Sequence, residues 1–353
     1  MGMNVLEQAK RFRVKNQPSQ SFQQASVSRS LTLVQAVTDG LRTMMREDET
    51  VLLLGEDIGR NGGVFRATDG LIEEFGEERV IDTPLAESGI IGTSIGLALN
   101  GYKPVAEIQF LGFIYPGFEQ IVSHAARIRM RTCGRYSVPL VIRAPYGAGI
   151  RAPELHSDST ESFFFHVPGL KVVVPSNPYD AKGLLIASIE DPDPVLFLEP
   201  MKSYRAQRQD VPADKYTVEL GKAKRVREGD DVTVIAWGNM VRPAMEAAEQ
   251  AAREKDYQAD VIDLRTLYPL DYDTIIRSVK KTGRVVIVHE AHRSGGVGAE
   301  IIALINDKAL LYLRSPIERV TGFDVHVPLF TLEDDYLPSP ARIRDAIERV
   351  ITF

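Results

Sequence analysis

Cysteine is almost missing from this chain. Cys133 is the only one in 353 residues, which excludes an internal disulfide and a cysteine-rich zinc site. Such usage fits a reducing compartment: the cytoplasm or, in a eukaryote, the mitochondrial matrix. Long hydrophobic runs are missing too. No stretch reaches the roughly 18–20 apolar residues that a membrane helix requires. There is no excess of positive charge: 42 Lys and Arg against 48 Asp and Glu leave a net charge of −6, which gives no support for a nucleic-acid face. Two short catalytic signatures are absent as well. No GxxxxGK[ST] cradles a phosphate, and no HExxH carries zinc. "GGVGAE", from Gly295 to Glu300, lacks the third glycine of a dinucleotide fingerprint and reads as an ordinary strand-to-helix turn. A nicotinamide-dependent oxidoreductase of the Rossmann type is therefore disfavoured.

What is present is an ordinary globular composition, 44% hydrophobic and 25% charged, on a chain longer than one core usually organises. The first thirty residues are polar, Gln/Ser-rich and mildly basic, with no apolar secretory core. They read as a flexible or partner-bound arm, with a targeting segment as the alternative. From Leu31 onward, buried strands such as "VLLLGED", "PVAEIQF", "VPLVIRAP" and "PVLFLEP" alternate with helical patterns, including "FIYPGFEQIVSHAARIRMR" and "PYDAKGLLIASIE". Continuous apolar strands between helices imply a mainly parallel sheet covered on both faces. A charged stretch after residue 200 breaks the alternation and reads as a crossover containing a short hairpin. The alternation then restarts with "VTVIAWG", "ADVIDLRTLYP" and "RVVIVHE". The fold class is α/β with two doubly wound domains. The arm spans 1–30, the first domain 31–205, the crossover linker 206–230 and the second domain 231–353.

The segment "DTPLAESGIIGTSIGLALNG" holds one acidic side chain that a helix would turn inward, Glu87. Thr83 and Pro84 suit the cap and first turn of a helix, where an acid is favoured by a few tenths of a kcal/mol. Capping alone does not account for Gly89, Gly92 and Gly96, each costing roughly 1 kcal/mol in a helix interior. The stripe predicts close packing against another helix, with Glu87 at the edge of the contact, poorly solvated and raised in pKa. Of the six scattered histidines, His156 stands out, in the loop "GAGIRAPELHSDS" after a strand end, where open α/β sheets gather ligand-facing groups.

"GEDIGRNGGVFRATDGL", "DTPLAESGIIGTSIGLAL", "AEIQFLGFIYPGFEQI", "PELHSDS" and "VPSNPYDAKGLLIASIEDPDPVLFLEP" together resemble the β subunit of the E1 component of 2-oxo acid dehydrogenase complexes. The resemblance covers roughly residues 31–353. It implies a thiamin pyrimidine-binding domain followed by a transketolase-like C-terminal domain. It also implies an α2β2 heterotetramer in which an E1 α subunit shares thiamin diphosphate and holds most of the Mg²⁺ site. The chain has no GDG triplet with which to bind diphosphate itself. Glu87 matches the family glutamate at N1′ of the aminopyrimidine, where proton exchange activates the cofactor for attack on the 2-oxo carbon. Carbon dioxide then leaves, and the acyl fragment passes to a lipoyl group on the E2 acyltransferase. Leu85, Gln109 and Phe113 match positions lining that ring. Read from residue type alone, core packing and a buried strand-end amide are the favoured readings.

His156 matches an active-site histidine that stabilises the intermediate or assists acyl transfer. The loop Ser188–Pro194 matches a potassium site, with carbonyls of Leu140, Ser188 and Ile189 and oxygens of Asp191 and Asp193 as ligands. A simple turn is the other reading. Pyruvate and branched-chain 2-oxo acids are both candidate substrates. An acetoin dehydrogenase β subunit and a non-catalytic assembly protein of the same fold are the alternatives.

Overall fold

The computed structural model describes residues Val27–Phe353. Its strands are β1 (Ser28–Leu31), β2 (Val51–Gly55), β3 (Val80–Asp82), β4 (Lys103–Glu107), β5 (Val141–Tyr146), β6 (Lys171–Val173) and β7 (Val195–Pro200). They continue with β8 (Gln209–Pro212), β9 (Lys224–Arg227), β10 (Val232–Ala236), β11 (Ala259–Asp263), β12 (Thr266–Tyr268), β13 (Val285–His292) and β14 (Glu318–Gly322). The first sheet has the order β12-β6-β7-β5-β4-β2-β3, parallel except for β12. The second has the order β14-β13-β10-β11-β9, parallel except for β9.

Alternation of side chains across the first sheet explains its two covered faces. Val105, Val141, Val173 and Phe197 point to one side, into a core with the helices Leu33–Glu47 and Pro178–Glu190. Their neighbours Ala106, Ile142, Val172 and Leu196 point to the other, into a core that also takes Ile235, Ile262 and Ile287 of the second sheet. The two sheets thus share one hydrophobic layer. A third core covers the far face of the second sheet through Val234, Val261, Val286 and Val288. On the first side, the fully buried Lys182 pairs with Asp39 at 2.8 Å and donates to three carbonyls, those of Pro212, Ala213 and Asp214. One buried ammonium therefore joins the two covering helices to the chain that leaves the domain.

The structure departs from the sequence reading in four places. "ADVIDLRTLYP" is not one strand: it breaks after Asp263, Arg265 takes a left-handed φ of 57°, and β12 crosses over to finish the first sheet. The short hairpin of the crossover does not form, because β8 pairs with β1 and β9 pairs with β11. Ser28–Ser30, assigned to the arm, belong to β1; residues 1–26 of that arm lie outside the described residues. "FIYPGFEQIVSHAARIRMR" is an irregular spiral rather than a single helix, with 3₁₀ turns at Tyr115–Gly117 and Ala125–Arg127, a π segment at Gln120–His124 and one α turn at Ile128–Arg131. Pro116 removes a backbone donor at its start, and wide turns of this kind often flank functional sites.

Candidate active site

Three strands of the first sheet end level. Gly55 on β2 pairs with Asp82 on β3 and with Glu107 on β4. Beyond this line lie Glu56, the segment from Thr83 to Glu87, and Gln109. The loop after β5 brings His156 to the same edge. The carboxyl ends of parallel strands are where open α/β sheets bind ligands, since no strand continues there to satisfy the outgoing backbone.

Glu87 is the first residue of the helix Glu87–Leu99 and is half-buried. The cap is Ala86, not Thr83, and it makes no side-chain hydrogen bond, so the helix begins later than the sequence pattern implied. The Glu87 carboxylate starts a helix whose first N–H groups have no intrahelical partner, a position that favours negative charge. Its charge is felt by Glu56, whose carboxyl is pushed up from its ordinary value by burial and by the charges of Asp57 and Glu87. The glycine stripe lies on the open side of this helix. The helix packs through Ile90, Ile91, Ser94, Ile95 and Ala98, whereas a Cβ added at Gly92 or Gly96 would meet nothing within 4 Å. No described helix fills the stripe.

Aromatic rings form the next wall. The His156 ring lies 4.4 Å from Phe110 and 4.9 Å from Phe113, centroid to centroid, and the two phenylalanines meet edge to face at 5.4 Å. Gly112 makes this possible: any Cβ there would run into the carbonyl of Leu155, so only glycine lets the histidine loop lie on the turn Leu111–Phe113. The turn Tyr115–Gly117 then packs on the helix start, where a Cβ on Gly117 would approach the Glu87 carbonyl at 3.2 Å. His156 Nδ1 lies 2.8 Å from the Glu154 carbonyl. A carbonyl only accepts, so Nδ1 carries the proton and Nε2 is the free acceptor. Gln109 is half-buried at the same edge, and Leu85 remains 72% exposed.

A buried charge network sits directly beneath. Arg143, 1% exposed, pairs with Glu107 at 2.7 Å and with both oxygens of Glu199 at 2.6 and 2.9 Å. Glu199 also accepts from the Tyr204 hydroxyl at 2.7 Å. Burial pushes the Glu107 carboxyl up against the pull of Arg143.

The polar set at this edge is two carboxylates, Glu56 and Glu87, one amide and one histidine, beside flat apolar faces. It fits an aminopyrimidine, which offers polar ring atoms and two aromatic faces. Comparisons with known proteins point the same way. Residues 29–207 match the pyrimidine-binding domain of transketolase, and residues 221–343 match the transketolase C-terminal domain. The chain is 52% identical over 324 residues to the pyruvate dehydrogenase E1 component subunit beta of Bacillus subtilis, covering 92% of this chain and 99% of that one. It is 50% identical over 320 residues to the corresponding subunit of Acholeplasma laidlawii, covering 91% and 98%.

The chain belongs to the E1 β-subunit family of the 2-oxo acid dehydrogenases.

It is thus a component of an oxidoreductase, in a thiamin diphosphate-dependent family. A split-gene transketolase, an inactive β4 tetramer, shares the fold at a TM-score of 0.76 and 22% identity, covering 92% of this chain and 99% of that one. The transketolase of Pichia stipitis does so at a TM-score of 0.64 and 14% identity, over 93% of this chain and 47% of that one. At such identities the likeness speaks for the fold alone.

The E1 β chain treats the proposed potassium turn differently from the site edge. Asp191 accepts from the Lys171 ammonium at 2.7 Å and from the Asp193 amide at 2.9 Å, while Asp193 pairs with Arg129 at 2.6 Å. The Leu140 carbonyl accepts from Val195 at 2.9 Å. Ser188 and Ile189 are buried, with the serine hydroxyl turned back onto the Leu184 carbonyl at 2.7 Å. Two side-chain cations neutralise both aspartates, and a bound potassium ion would have to compete with Lys171. Among the described residues, no group of three or more His, Cys, Asp or Glu side chains converges as a metal site. No described helix is long and apolar enough to cross a membrane.

The sequence reading passed over Phe110 and Glu56. Both had a usable signal, since Glu56 directly follows the end of β2 and Phe110 comes three residues after the end of β4, at the ligand edge.

Proposed function

We propose that this chain supplies the aminopyrimidine half of a thiamin diphosphate site in an α2β2 E1 enzyme. The enzyme decarboxylates a 2-oxo acid oxidatively and passes the acyl group to the lipoyl arm of E2. An α subunit contributes the diphosphate and Mg²⁺ ligands, consistent with the lack of a GDG triplet here. The reading is supported by Glu87 and Gln109 following the level ends of β3 and β4, and by the His156 ring against Phe113, in a chain half identical to E1 β subunits. Pyruvate is the first substrate to test, because the relatives are pyruvate dehydrogenase subunits. Branched-chain 2-oxo acids are the second.

The cofactor, when bound, supplies the nucleophilic carbon and the electron sink for decarboxylation. The chain's residues do the rest. Glu87 holds and moves a proton at N1′ of the aminopyrimidine. Phe113 offers its ring face and excludes water, while Leu85 adds an apolar contact. Gln109 orients the ring through its amide. His156, with Nδ1–H held by the Glu154 carbonyl, uses Nε2 to give or take a proton as the acyl group leaves for lipoyl sulfur. The unfilled Gly89–Gly96 stripe receives a helix of another subunit, and the turn at Ser188–Asp193 is stabilised by Lys171 and Arg129.

Two measurements test this. Thiamin diphosphate should bind the reconstituted tetramer and not either subunit alone. In that tetramer, Glu87→Gln should lower decarboxylation of the preferred substrate by about 10²–10⁴-fold, the usual contribution of a general acid–base group. Wild-type turnover in E87Q would refute the assignment. Assays with pyruvate and with 2-oxoisovalerate decide the substrate.

A further inference from the structure

The loop that carries His156 has little regular structure of its own. Gly147, Gly149, Arg151 and Leu155 all take left-handed φ values, of 89°, 103°, 56° and 66°. Backbone N–H groups in such a segment find no ladder or helix partner and must be satisfied from elsewhere. The Gly147 and His156 amides bond within the loop, whereas those of Ala148, Gly149 and Arg151 are satisfied from the other domain. Glu333, 1% exposed and at the start of the short helix Glu333–Tyr336, accepts from the Gly149 amide at 2.5 Å and from the Arg151 amide at 2.7 Å. Its first oxygen also lies 3.5 Å from the Ser157 hydroxyl, next to His156. The neighbouring Ala148 amide donates to Glu290 of β13 at 3.3 Å, and the Arg151 guanidinium pairs with Asp334 at 2.8 Å.

We propose that Glu333 is a positioning residue. From the C-terminal domain its carboxylate fixes the backbone of loop 147–157 and thereby seats the His156 ring beside Phe110 and Phe113. This rests on the reading that His156 serves acyl transfer. The logic is that two amides converge on one carboxylate with both oxygens used, and charge-assisted bonds of this kind are about twice as strong as neutral ones. The C-terminal domain thus sets the geometry of a residue that belongs to the N-terminal domain's active edge.

The test uses the reconstituted tetramer with E2 and four versions of this chain: wild type, E333Q, H156A and H156A/E333Q. Glu333→Gln keeps size and shape but replaces one acceptor oxygen with a donor. Amide exchange across residues 147–157 should become about tenfold faster in E333Q, as expected for a lost charge-assisted bond. Lipoyl acylation should fall about tenfold in E333Q, with thiamin diphosphate affinity held within about twofold. In the H156A background the same change should have an effect of less than about twofold, because the group it seats is gone. Unchanged exchange in E333Q overturns the assignment whatever His156 does. A full tenfold loss added on top of H156A overturns it as well, since Glu333 would then act on the fold at large. Wild-type acyl transfer in H156A would instead overturn the His156 reading, and the exchange result would separate that failure from a failure of the Glu333 contact.

Discussion

Removing the guanidinium of Arg143 should destabilise the N-terminal domain severely, and more at high pH than at low. The side chain is 1% exposed and balances two carboxylates, Glu107 and Glu199, that are 5% and 0% exposed. Arg143→Met is close in volume but leaves both carboxylates buried without a counter-charge. Breaking a buried ion network in this way costs about 3–5 kcal/mol. For a domain of this size that corresponds to a fall of roughly 6–20 °C in the unfolding midpoint. The pH dependence follows from linkage. The Glu107 carboxyl, already pushed above its ordinary 4.5 by burial with Arg143 in place, rises further without it. An acid with a raised folded pKa penalises folding once pH exceeds that pKa and not below its unfolded value. The R143M deficit should therefore shrink between pH 8 and pH 5. The triple replacement R143M/E107L/E199L removes every charge and leaves only the Tyr204 hydroxyl without its partner, at about 1 kcal/mol. Scanning calorimetry of the assembled enzyme at both pH values measures all of this. A single R143M variant no worse than the triple replacement, or one with the same deficit at both pH values, would refute the account.

Two further outcomes follow from other buried groups. Burial pushes Glu161 up to about 7, while burial and the charge of Glu161 push Glu290 up to about 8, so folding loses stability as pH rises from 4.5 toward 8. Glu290→Gln should flatten that slope in thermal unfolding measured across pH 5–8; an unchanged slope would mean that this carboxyl is not the source. Gly112→Ala should force the Leu155 carbonyl and the His156 ring away from Phe113 and lower lipoyl acylation about 10²-fold, the scale of a 1 Å misplacement at a catalytic group. Glu87-dependent decarboxylation measured with an artificial electron acceptor should fall much less.

The parts of the fold legible in the sequence were those written in local pattern. The helix Pro178–Glu190 carries Asn177 as a side-chain cap and Pro178 at its first position, and its bounds coincide with "PYDAKGLLIASIE". The buried strands β2, β5, β7 and β10 likewise announce themselves as apolar runs. Features that depend on distant partners did not. β12 looks like the continuation of β11, and only the left-handed turn at Arg265 together with its pairing to β6 assigns it to the other sheet. The short β3, the C-terminal β14 and the helix Pro340–Thr352 were not singled out, because three to five strand residues or a late amphipathic segment give a weak periodic signal.

For the site, residue type and context singled out Glu87 and His156, and the resemblance to the E1 β family added Leu85, Gln109 and Phe113. Tertiary structure alone decided how they meet. Strands ending level set their common edge, and Gly112 permits the loop and the turn to touch. Glu333, 177 positions beyond His156, holds the loop in place through bonds to backbone amides. Such bonds leave no trace in the sequence of the loop they secure, because every residue but proline offers the same N–H.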